Sequence, residues 1–99
     1  MTIQAAGEGL VPPMGGPNPP IAIVANLTGV AGTSTTYLTL FACGAPQPLA
    51  SDLNPRAGDV AANLAFVAIS QSGSSSGEVC LFNDQGTINA LLDVAGWFQ

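Results

Sequence analysis

Few side chains in this sequence could carry chemistry. Cys43 and Cys80 are the only cysteines, Arg56 is the only basic residue, and neither histidine nor lysine occurs. Without a histidine, two cysteines cannot complete a four-ligand zinc site. They are left either as a disulfide, closing a loop of about 36 residues and stabilising the fold by about 3–4 kcal/mol, or as two buried thiols. A serine or threonine nucleophile would lack its usual base, and Cys–His catalysis is impossible. The remaining option is the loop SDLNPRAGD, where Asp52 and Asp59 flank Asn54 and Arg56. Its spacing is not that of a calcium loop, and Arg56 lies inside it, so the expectation is solvated turn residues with Arg56 as a local counter-ion. The serines of SQSGSSSGE, Ser70 to Glu78, read as a flexible hairpin loop. No catalytic residue, metal site or cofactor is expected, and the chain reads as a non-enzyme.

Partners are bounded by charge. One cation against six acids gives a formal net charge of −5. Phosphate neutralisation needs clustered Lys or Arg, so nucleic acid is disfavoured, and the same poverty of cations disfavours anionic lipid surfaces. No apolar stretch approaches the length of a membrane-spanning helix, and the N-terminus MTIQAAGEGLVPP lacks the pattern of a signal peptide. No membrane insertion is expected.

The elements that must position these residues follow period two. Residues 1–20 hold most of the prolines and several glycines and read as an irregular Pro/Gly-rich N-terminal arm. From residue 21 to 99, IAIVANLTGV, TTYLTLFACG, NLAFVAIS, GEVCLFND and INALLDVAGWF are rich in β-branched and aromatic residues and are bounded by turn formers. Short strands at this spacing predict an all-β domain, an antiparallel β-sandwich of jelly-roll or Ig-like type. DVAANLAF is the one segment whose alanines would also suit a helix.

Strict alternation along the last strand puts Leu92, Val94 and Phe98 in the core and Leu91, Asp93 and Trp97 on the opposite side. Those three residues, with Tyr37 from another strand, form the candidate partner or ligand face. Asn26, Asn54 and Asn63 are expected to act structurally, tying loops to sheet edges by donating and accepting at once.

The blocks VANLTGV, TYLTLFACGAPQPLASDLNPRAGD, AANLAFVAI and GEVCLFNDQGTINALLDVAGWF, in that order, resemble a repeat found in extracellular and cell-surface proteins of actinobacteria. The resemblance covers residues 21–98 and continues weakly upstream through AAGEGLVPP. Both Cys43 and Cys80 fall on cysteine positions of that pattern, which implies the disulfide and an oxidising setting. The chain departs from the pattern in two places. ACG stands where Pro-Cys-Gly is common, and the Leu-Asp-Thr-Arg opening is missing, leaving a first strand to be supplied by the arm or by a neighbouring subunit. The resemblance implies a surface or binding module and carries no catalytic residue.

Two functions fit. The first is a small structural subunit that decorates or coats a larger assembly, a phage virion or a cell-surface layer, in contact with other copies of itself. The stand-alone length, the methionine start without a signal peptide and the scarcity of charge suggest it. The alternative is a polysaccharide-binding module working through Trp97.

Overall fold

The computed structural model describes residues 1–99. The chain forms β1 (Thr2–Gln4), β2 (Ala22–Val30), β3 (Leu38–Ala42), β4 (Val60–Ala68), β5 (Glu78–Asn83) and β6 (Asn89–Phe98), with a single 3-10 turn at Gly73–Ser75. These strands make two three-stranded antiparallel sheets, β1–β5–β3 and β4–β2–β6, packed as a small β-sandwich. Each strand lies in the sheet opposite its predecessor, so no two consecutive strands pair. The Ser70–Glu78 loop illustrates the consequence. Ser70 N–H donates to Glu78 O and Gly77 N–H to Ser70 O, as in a hairpin, yet β4 and β5 on either side belong to different sheets.

β2 is the central strand of its sheet and shows why the sandwich forms. Its residues alternate between buried and half-buried along all nine positions. Ile23, Ala25 and Leu27 are completely buried and meet Leu38, Leu40, Val79 and Leu81 of the facing sheet in a single core. Gly29 continues that inward row. A Cβ there would lie 2.9 Å from Ile88 Cδ1 and 3.4 Å from Leu53 Cδ2, so the glycine allows the sheets to close at this end. Pairing along the whole of β2, from Ala22↔Ala68 to Val30↔Val60, holds DVAANLAF as β4. Tertiary pairing overrides the helix preference of its alanines.

Two irregular segments close the sides of the sandwich. On one side the loop at 50–55 runs against β3: Leu38 N–H donates to Leu53 O at 2.8 Å, and Asp52 N–H donates to Leu38 O at 2.8 Å. The Asp52 carboxylate accepts the Leu40 N–H at 2.7 Å, and Thr39 Oγ1 donates to Ala50 O at 3.0 Å. Asn63 Nδ2 in β4 donates to Asp52 O at 2.9 Å, which ties this loop to the other sheet.

The other side is closed by the N-terminal segment. Thr2–Gln4 forms β1 on the free edge of β5, and the Ala5 and Ala6 amides both donate to Gly77 O. Gly77 has φ +87°, and a Cβ there would lie 2.8 Å from Gln4 Nε2, so the turn requires glycine. Ala5, Ala6, Val11 and Pro20 are buried. Residues 1–20, read from sequence as an arm apart from a 21–99 sandwich, thus include a strand and part of the core. Period two could not reveal β1, because three residues give too short a pattern.

Cys43 and Cys80 are joined in a disulfide, with a Cα–Cα distance of 5.0 Å. It links the chain just beyond β3 to the middle of β5, where Phe41 and Cys80 are register partners.

Candidate interaction surface

The two outer sheet faces differ. On the β1–β5–β3 sheet, Thr39 points away from the core yet is completely buried, its hydroxyl bonded to the overlying 44–51 segment through Ala50 O. Tyr37 and Phe82 pack on each other there, ring centroids 5.9 Å apart. The outer face of the β4–β2–β6 sheet has no such covering. Val60, Leu64 and Phe66 of β4 are 69%, 54% and 67% exposed, and Leu91 and Phe98 of β6 are 57% and 49% exposed. The middle of the face is β2, which contributes Val24, Asn26 and Thr28 as half-buried residues.

A β-bulge sets which residues of β6 join this face. Val24 pairs with Gly96 while the next residue, Ala25, pairs with Val94, so Ala95 is an extra residue. The extra residue reverses the alternation. Before it, Ala90, Leu92 and Val94 point inward; after it, Trp97 does, opposite Ile23. Phe98 is thrown to the outside, level with Ala22. Across β2, the Phe66 and Phe98 rings lie 6.4 Å apart although their strands do not pair. Small residues beneath them, Ala22, Ala68 and Gly96, leave room for the rings to lean together.

The residues expected to share a partner face are therefore not brought together. Leu91 and Asp93 lie on the open face, Asp93 in register with Asn26. Trp97 does not: it is half-buried and packs against the core, because the bulge at Ala95 reversed its direction. Phe98, expected in the core, takes the outer place for the same reason. Tyr37 stands on the other sheet, against Phe82. Sequence reasoning missed Val60, Leu64 and Phe66, since β4 is apolar on both parities and gives no alternation to say which side is covered. Gly96 was the available signal for the bulge.

Other places offer less. A cleft of about 290 Å³ lies between Glu8–Val11 and Val94–Trp97, where Val94, although inward-facing, stays 43% exposed. A more open depression of about 490 Å³ lies between Ala42–Ala45 and Ile69–Ser75. No three His, Cys, Asp or Glu side chains converge as a metal site would need. In the SDLNPRAGD loop, Asn54 Oδ1 accepts from Ser51 Oγ at 3.2 Å and Arg56 O accepts the Asp59 N–H, so the loop is organised by turn hydrogen bonds. No helix is long and apolar enough to cross a membrane.

The class that fold and surface define is thus a small antiparallel β-sandwich with one uncovered apolar sheet face. Compared with known proteins, the chain matches no family model, no curated protein and no solved structure.

Proposed function

We propose that this protein is a non-enzymatic structural subunit that decorates or coats a larger assembly, a virion or a cell-surface layer. The observation that carries this reading is the open β4–β2–β6 face. Its five large apolar residues, each about half to two-thirds exposed, present about 500 Å² of apolar surface, the size of the largest patch on a typical single chain, which is often a functional one. The disulfide supports an oxidising setting such as a virion or cell surface.

The experiment is zone sedimentation of the native material that contains the chain. The protein is expected to travel with large particles at a fixed copy number, and Phe66→Glu to release it into the slowly sedimenting fraction. Recovery of the unaltered protein only in the slow fraction would overturn the proposal.

A further inference from the structure

Resting on that reading, with the pair rather than the single chain as the unit that joins the assembly, we propose that the open β4–β2–β6 face is covered by a second copy of the same chain, packed face to face about a twofold axis that runs along β2. Area is the first argument. The five large residues together with the alanines and half-buried β2 residues between them come to about 700–800 Å² per copy, so two copies would bury about 1,500 Å². That is the size of a standard stable interface.

Charge is the second argument. Of the six acids only Asp93 lies on the face; Glu8, Asp52, Asp59, Glu78 and Asp84 lie in the N-terminal segment, the loops and β5. The only cation, Arg56, is in the loop before β4. A basic or acidic partner would therefore find almost nothing on this face to complement. A second copy meets an equally neutral surface except at Asp93, which the axis sets on edge strand β6 opposite Leu64 of the other copy, the one charged contact of the pairing.

The third argument is the symmetry of the polar groups. Asn26 and Thr28 stand on the outward side of the central strand. An amide and a hydroxyl each both donate and accept, so on a twofold axis Asn26 can bond its own counterpart and the shorter Thr28 can do so through a bridging water. The same axis exchanges β4 with β6. Phe66 of one copy then lies over Phe98 of the other, and four rings gather at one end of the interface, between aligned sheets about 10 Å apart.

Sedimentation equilibrium of the full chain, from about 1 μM upward, tests this directly. A closed dimer is expected. Leu64→Glu and Phe66→Glu should each weaken it at least about 100-fold. Leu49→Glu, at a fully exposed site off the face, should leave it unchanged. Circular dichroism checks that the variants stay folded, and a spin label on Thr28→Cys should find its counterpart at short range while one on Leu49→Cys should not. A monomer at every concentration, open-ended oligomers, or a dimer indifferent to both face variants would refute the twofold pairing. A monomer that still travels with particles would refute the pairing and leave the assembly reading standing. A dimer never found on a particle would do the reverse.

Discussion

Phe66 and Phe98 hold their rings 6.4 Å apart across β2, on two strands that both pair with β2 and never with each other. Strands separated by one neighbour stand about 9.5 Å apart, so the rings must lean inward over the central strand. They do so on the solvent side of the sheet, where the pair stabilises little beyond its own contact and leaves most of Phe66 in water.

That geometry separates fold from surface. Phe66→Ser should change unfolding free energy by no more than about 1 kcal/mol, because the residue is 67% exposed. Leu27→Ala, at a completely buried position, should cost about 2–5 kcal/mol. Chemical denaturation of the two variants, measured at a concentration where the chain is monomeric, checks the contrast; equal losses would mean that Phe66 belongs to the core.

The bulge at Ala95 makes Trp97 the structural aromatic of β6. Trp97→Ala should lower stability by about 2–3 kcal/mol, while Leu91→Ala, 57% exposed, should stay within about 1 kcal/mol. Thermal melts of both variants would expose a strand without the bulge, since strict alternation puts Leu91 and Trp97 on the same outer side and leaves both substitutions with small effects.

Reduction of Cys43–Cys80 should lower stability by about 3–4 kcal/mol, because the bridge spans 37 residues of sequence and restricts the unfolded chain. The comparison is between oxidised and reduced protein, with Cys43→Ala/Cys80→Ala as the irreversible counterpart. A loss well under 1 kcal/mol in both would show that the unfolded chain is already compact around this loop.

Gly29 sets how close the sheets approach. Gly29→Ala should be tolerated within about 1 kcal/mol, since the nearest atom to the new methyl is the far end of the Ile88 side chain, which can turn away. Gly29→Val must also displace Leu53 and Leu38, whose methyls lie 3.4 and 3.6 Å from the Cβ position, and should cost about 1–3 kcal/mol. A valine variant as stable as the alanine one would indicate slack between the sheets at this end.

The architecture was legible wherever residues alternated sharply. Ile23, Ala25 and Leu27 against Val24, Asn26 and Thr28 put one side of β2 in the core, and the spacing of five such runs predicts a sandwich. Other features escaped for different reasons. β1 is a three-residue strand whose pairing with β5 depends on the fold around it. Val94, Ala95 and Gly96 are all small or apolar, so an extra residue among them changes no visible pattern while it turns Trp97 inward and Phe98 outward. The uncovered face was illegible because covering is a property of loops: Ala50 lies over Thr39 on one sheet, and nothing of the chain lies over Phe66 on the other. Asp52 was recognised as a turn residue, but its acceptance of the Leu40 amide joins residues 12 apart and has no local signature.

The central claim is that the β4–β2–β6 face is buried when the protein is in its working state. Hydroxyl-radical footprinting, read by mass spectrometry at Phe66 and Phe98, measures this most directly, comparing the chain in its native particles with the isolated chain diluted until monomeric. The account predicts that oxidation of both phenylalanines falls several-fold in the particles while Leu49 is unaffected. Equal labelling of Phe66 and Phe98 in the two states would contradict it.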